Sequence, residues 1–189
     1  MTTGDLLKSK TIRKLAGAGH FSLFGKLLPS TCLLLGASVF TADQLLKASI
    51  ERQPEESFPR DAPGSNGAVR YEKRRNDGFL LGAFRKETSL VRLLPAFAAA
   101  FLSGQLLEML LQERGRVMEK LGLTLVVSGA LSNVYDRFKR GYVVDYLSIQ
   151  KGFLRRIVVN LGDIAICTGA AFMALGALFR MILGLSFKK

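Results

Sequence analysis

The chain has 189 residues and a formal net charge of +12, with 49% hydrophobic and 22% charged residues. Its two cysteines, Cys32 and Cys167, sit in apolar runs and its one histidine is His20; that argues against a disulfide scaffold, a zinc centre and a Ser-His hydrolase. The basic residues are dispersed and carry no nucleic-acid motif, so anionic lipid headgroups, not nucleic acid, are the expected counterpart.

A mean hydropathy of +0.23 conceals strong segregation, because the charges fall between long apolar runs. Residues 1–27 set Leu6, Leu7, Ile12, Leu15 and Phe24 among Lys8, Lys10, Arg13, Lys14 and Lys26. That pattern suits a basic helix in the headgroup layer or a solvated tail, rather than a cleaved signal peptide. The first apolar span is predicted over residues 27–46, ending on Asp43 and Lys47, which are spaced i, i+4 and can pair on one face. A polar loop covers 51–89, where Pro54, Pro59, Pro63 and the run Gly64-Ser65-Asn66-Gly67 break any helix. Its distal half predicts a hairpin-like turn at Asp77-Gly78, between Val69 and Tyr71 on one side and Phe79-Leu80-Leu81 on the other. That apolar triplet in a charged loop is expected to contact lipid or a ligand, the alternative being that it packs on the second helix.

Further spans are predicted over 90–111, 121–138 and 157–179. The third is rich in small residues (Ser128, Gly129, Ala130, Ser132), which permit close helix contact in lipid. Each span is near the ~20 residues a bilayer requires. The expected architecture is one polytopic membrane domain over 1–189. It is mainly α, an integral membrane four-helix bundle with a small extramembrane β-rich element from 51–89 and 139–156.

Alternation of four spans brings Asp43, Asn76, Asn133, Asp136, Asp145, Asn160 and Asp163 to one membrane face. Ionisable groups at the edge of a span are costly and mark function by default. Two carboxylates brought together there, such as Asp145 and Asp163, could share a proton and activate water against a peptide bond. Asn133, Asp136 and Arg137 occupy i, i+3 and i+4 on one helical face. Asn160 and Asp163 fall in the opening turns of the fourth helix, where the macrodipole favours an anion. Ion pairing and capping are the structural alternatives for Asp136, Arg137 and Asp163. Basic residues divide almost evenly between the two faces, so the positive-inside rule does not orient the chain.

The segment GALSNVYDR (129–137), then Val143-Val144-Asp145, then Asn160-Leu161-Gly162-Asp163 resembles the C-terminal half of the bacterial lipoprotein signal peptidases, signal peptidase II. Asp43-Gln44-Leu45-Leu46-Lys47 and Arg75-Asn76-Asp77-Gly78 extend the resemblance, so that it covers residues 43–163. It implies that Asp145 and Asp163 are a catalytic aspartate pair. Asn76, Asn133 and Arg137 would hold the substrate main chain, with Asp43, Asp136 and Asn160 as supports. The chain departs from the family pattern at Ser128, Ser132, Gly162 and Phe79-Leu80-Leu81, and so reads as a divergent member.

The leading expectation is a membrane aspartic endopeptidase without cofactor or metal. It would cleave the signal peptide from diacylglyceryl-modified prolipoproteins before the lipidated cysteine. Its partners would be that substrate and bilayer lipids, its place the bacterial cytoplasmic membrane with the site on the outer face, and a monomer the favoured state. An inactive paralogue that binds lipidated peptides is the alternative. A proton-coupled transporter would want acids at mid-bilayer and an internal repeat, which is not evident.

Overall fold

The computed structural model of the chain describes residues 3–78, 88–112, 116–152, 155 and 157–183. Phe79-Leu80-Leu81, and with them the far side of the expected turn, lie outside the described residues. Four long helices carry the fold: α1 (Thr3–Arg52), α2 (Thr88–Leu111), α3 (Val117–Lys139) and α4 (Leu161–Ile182). Each contains a stretch long and apolar enough to cross a membrane, namely Leu28–Arg52, Ser89–Leu111, Val117–Lys139 and Leu161–Ile182. Leucines and phenylalanines such as Leu33, Leu34, Phe97, Phe101, Leu107 and Phe179 point outward from the bundle, as helices solvated by lipid tails require. The protein is an integral membrane four-helix bundle with a small antiparallel sheet.

Helix ends differ from the sequence reading where charged residues find partners. α1 runs past residue 46 to Arg52, and Pro54 stops it by disfavouring helical geometry at the residue before it. Lys73 Nζ donates to the Glu51 and Gln53 carbonyls at 3.1 and 2.8 Å, satisfying acceptors the helix end leaves open. α3 starts at Val117, before the expected 121, because Glu119 and Lys120 are both paired. Glu119 lies 2.9 Å from Arg180 of α4, and Lys120 Nζ donates to the Gln112 carbonyl beyond α2.

The sheet has the order β1-β2-β3-β4, formed by β1 (Arg60–Asp61), β2 (Val69–Asn76), β3 (Val143–Ile149) and β4 (Val158–Val159), all antiparallel. The expected hairpin at Asp77-Gly78 needs Phe79-Leu80-Leu81 as its second strand, which lies outside the described residues. β2 pairs with β3, far along the chain, with Asn76 opposite Val143 and Arg74 opposite Asp145. Asn76 to Gly78 forms an Asx turn, in which the Gly78 N–H donates to Asn76 Oδ1 at 3.1 Å. One correction concerns the start of α4. Val158 and Val159 belong to β4, so the helix begins at Leu161 and not near residue 157, and Asn160 is its N-cap.

α3 and α4 form the most extensive helix contact, and glycines allow it. A Cβ on Gly129 would overlap the Gly162 carbonyl, and one on Gly122 would lie 2.6 Å from the Gly169 carbonyl oxygen. Such close backbone approach is the packing mode small residues permit in lipid. It delivers the start of α4 to the end of α3. Val144 and Tyr146 of β3 pack on Ile50 of α1, fixing the sheet over that end of the bundle.

Candidate active site

Three asparagines organise the polar end of the bundle, and in each one the partners dictate which way the amide points. Asn160 Oδ1 accepts the Asp163 N–H at 2.9 Å, and Asn76 Oδ1 accepts the Gly78 N–H. An oxygen that accepts a backbone N–H leaves the amide nitrogen facing the other way. Both nitrogens therefore face Asp145: Asn160 Nδ2 donates to Oδ1 at 2.8 Å, and Asn76 Nδ2 to Oδ2 at 3.0 Å. Asn133 Oδ1 accepts from Lys47 Nζ at 2.8 Å, and its Nδ2 donates to Asp163 Oδ1, also at 2.8 Å. The second Asp163 oxygen accepts the Asn160 N–H at 3.2 Å, closing a reciprocal capping box at the start of α4. Asn160 thus touches both carboxyl groups.

Beneath this layer lies a buried ionic cluster. Lys47 Nζ is 2.7 Å from Asp43 Oδ2 and 3.1 Å from Asp136 Oδ2, with all three side chains fully buried. Arg140 also pairs with Asp136, so two carboxylates face two cations and the cluster is electrically balanced. Balance of this kind offsets a desolvation penalty that a lone buried charge could not bear. The remaining lone pairs are used as well. Ser132 Oγ donates to Asp43 Oδ2 at 2.6 Å, Tyr146 Oη to Asp43 Oδ1 at 3.2 Å and Gln44 Nε2 to Asp136 Oδ1 at 3.1 Å. The Tyr146 oxygen in turn accepts the Leu161 N–H at 3.1 Å, which ties the first turn of α4 to α1.

Arg137 lies between the two layers. It is buried, donates to the Asn133 and Gly78 carbonyls at 3.2 and 3.1 Å, and its charge acts on Asp136, Asp145 and Asp163. Its Nε is buried without a hydrogen-bond partner among the described residues. Every residue singled out in the sequence (Asp43, Asn76, Asn133, Asp136, Arg137, Asp145, Asn160, Asp163) is joined in this one connected network. The sequence reading paired Lys47 with Asp43, as observed, but gave no role in the site to Gln44, Ser132, Arg140 or Tyr146. The further contacts of Lys47 with Asp136 and Asn133 were not foreseen.

Burial raises the Asp145 carboxyl to about 6, and the neighbouring Asp163 charge adds to the rise. The Asn76 and Asn160 donors and the Lys47 charge oppose it. Asp145 therefore exchanges its proton close to neutral pH, the property expected of a group doing acid–base work. Among the described residues, no group of three or more His, Cys, Asp or Glu is arranged to hold a metal ion.

The profile of signal peptidase (SPase) II matches residues 35–179, more than three-quarters of the chain. The chain belongs to the signal peptidase II family. Among curated relatives, the lipoprotein signal peptidase of Teredinibacter turnerae is 45% identical over 62 residues, which are 33% of this chain and 37% of that protein. The lipoprotein signal peptidase of Shewanella woodyi is 40% identical over 75 residues, 39% of this chain and 43% of that one. The matched stretches thus span less than half the length of these relatives. Two solved structures share the fold, both described as a bacterial membrane enzyme determined by the in meso method. The one at 2.3 Å has a TM-score of 0.69 at 18% identity, covering 85% of this chain and 94% of that chain. The one at 1.9 Å has a TM-score of 0.66 at 18% identity, covering 79% and 93%. At that identity they speak to the fold alone.

Proposed function

We propose that the protein is a membrane aspartic endopeptidase that removes signal peptides from diacylglyceryl-modified prolipoproteins, cutting before the lipidated cysteine. Asp145 and Asp163 are its catalytic pair. The observation that carries this reading is the pair's setting: a buried carboxyl, Asp145, and a half-buried one, Asp163, joined through Asn160 at one end of a membrane bundle.

Charge bookkeeping supports a shared proton. The Asp43, Asp136, Lys47 and Arg140 cluster is neutral by itself. Arg137 then leaves room for one negative charge, not two, on Asp145 and Asp163. In the reaction, Asp163 is the ionised member, held by Asn133 Nδ2, the Asn160 N–H and the start of α4. It takes a proton from water as the water oxygen bonds to the scissile carbonyl carbon. Asp145, the protonated member, gives its proton first toward the carbonyl oxygen. As the C–N bond breaks, Asp163 passes its proton to the leaving amine, and a hydroxyl of the tetrahedral intermediate returns one to Asp145. The pair ends with one proton and the cycle repeats. Asn76, Asn133 and Arg137 hold the substrate main chain around this centre, and Asp43, Asp136 and Asn160 support them. The free Arg137 Nε is a donor still available to a substrate carbonyl.

An apolar cleft of about 360 Å³ between α1, α2 and α3, lined by Leu33, Ala37, Phe40, Leu106 and Leu131, suits acyl chains or a signal helix. The site faces outward from the cytoplasmic membrane, where such precursors present their cleavage point. The test is cleavage by purified protein of a lipid-modified prolipoprotein beside its unmodified precursor, read as a gel shift. Cleavage of the lipidated form alone is expected. Binding without turnover would favour the inactive-paralogue reading instead.

A further inference from the structure

Of the three asparagines that face the carboxyl pair, Asn133 alone takes its orientation from a side chain. Asn76 and Asn160 are held by backbone N–H groups, which no substitution removes. Asn133 Oδ1 is held by Lys47 Nζ at 2.8 Å. An ammonium group has three protons and no acceptor. The Lys47 protons are matched by Asp43 Oδ2, Asp136 Oδ2 and Asn133 Oδ1, at 2.7, 3.1 and 2.8 Å. Because Lys47 can only donate, the Asn133 atom facing it must be the oxygen, and the atom facing Asp163 must be the nitrogen.

We infer that Lys47 is a positioning residue: it fixes the Asn133 amide so that an N–H, never a carbonyl, faces Asp163. This rests on Asp163 being the water-activating member of the pair. The two amide orientations have opposite consequences. An N–H against the carboxyl favours its ionised form, whereas a carbonyl there can only accept from the protonated form. Without Lys47, Asn133 is free to turn over and hold a proton on Asp163. The base would then be silenced without any contact to substrate being lost.

The other groups around Asp163 are constant in this comparison. They are Asp43 on α1, Asp136 and Arg137 on α3, Asp145 and Tyr146 on β3, and the Asn160 cap. Lys47→Met alone would strand the buried Asp43 and Asp136, so the useful variant is Lys47→Met with Asp43→Asn, which keeps the cluster's charge balance. Its reference is Asp43→Asn alone.

The readout is the pH at which the Asp163 carboxyl band disappears from the infrared spectrum of the full chain in nanodiscs. The band is assigned by its loss in Asp163→Asn. No substrate is needed, so a protein that cleaved no lipoprotein would defeat the proposed function and leave this measurement intact. The midpoint is expected to rise by about one pH unit or more, since each tenfold change in the ionisation constant is one unit. With Asn133→Ala added, removing Lys47 should produce a clearly smaller rise, the share its own nearby charge contributes. An unmoved midpoint, or the same rise with and without Asn133, would overturn the inference. A second measurement uses the intact wild type. The Asn133 side-chain amide ¹⁵N resonance should shift as Asp163 titrates, and a resonance blind to that titration would also overturn it.

Discussion

Asn160 and Asp163 cap one another at the first turn of α4: the Asn160 side-chain oxygen takes the Asp163 N–H, and an Asp163 oxygen takes the Asn160 N–H. The same asparagine donates its nitrogen to Asp145. One side chain thus serves helix stability with its oxygen and the site with its nitrogen, and substitution can separate the two. Asn160→Ser keeps a capping oxygen but has no amide nitrogen. It should retain the melting temperature within a few degrees and still lose turnover, by about 10²–10³-fold if its donor matters as an active-site donor commonly does. Asn160→Ala should show the same loss of turnover and, in addition, lower stability by ~1 kcal/mol through the lost cap. Thermal melts beside a cleavage assay check both.

The elevated Asp145 carboxyl makes stability depend on pH in a definite direction. Its value rises from 3.8 to about 6 on folding. A carboxyl raised in the folded state contributes stability below about pH 4, and that contribution is lost as pH rises through about 6. The loss is about 2–3 kcal/mol if the whole shift is realised. Wild-type protein should therefore lose more stability between pH 4 and pH 7.5 than Asp145→Asn does, in parallel melts in detergent. As the acid of the pair, Asp145 should also place an alkaline limb near pH 6 in kcat/KM. Asn76→Ala removes a donor that favours the ionised form, so the limb should move to higher pH.

The close approach of α3 and α4 predicts a sharp contrast between two glycines. Gly129→Ala would drive a methyl group into the carbonyl of Gly162, the residue next to Asp163 in the first turn of α4. It should cost about 1–3 kcal/mol or more and reduce cleavage in the folded remainder, because α4 must move away. Gly104→Ala on α2 meets nothing within 4 Å and should be silent in both assays.

The helix order and the nature of the polar residues were legible in the sequence. Apolar runs separated by charge give four spans, and alternation alone brings Asp43, Asn133, Asp145 and Asp163 to one side. The start of α4 was not legible, because Val158-Val159 leading into an apolar helix has no periodicity that separates strand from helix. Asn160 followed three residues later by an acid was the available sign of a cap. The β2–β3 pairing and the contact of Lys47 with Asn133, 86 residues away, leave no local trace. Lys47 read only as the i, i+4 partner of Asp43, since that spacing carries no information about a third helix. Tyr146 was passed over for a related reason: beside Asp145 on an apolar strand, it reads as core packing.

The proposed outward orientation of the site predicts a labelling pattern in intact cells. Glu56, exposed in the loop before β1, and Gln112, at the far end of α2, lie on opposite sides of the bundle. Glu56→Cys should react with an impermeant thiol reagent and Gln112→Cys should not, each in a background lacking Cys167, which is exposed on α4. The reverse pattern would place the sheet in the cytoplasm.

The claim that Asp145 and Asp163 act as one unit is tested most directly by turnover of a lipid-modified prolipoprotein by Asp145→Asn, Asp163→Asn and the double variant. Each preparation is first matched to wild type in its melting profile. A pair that shares a proton fails when either member cannot ionise. Each single variant should lose at least about a thousandfold in kcat, with the double variant no slower than the singles. Substantial turnover by either folded single variant would remove that residue from the pair and contradict the account.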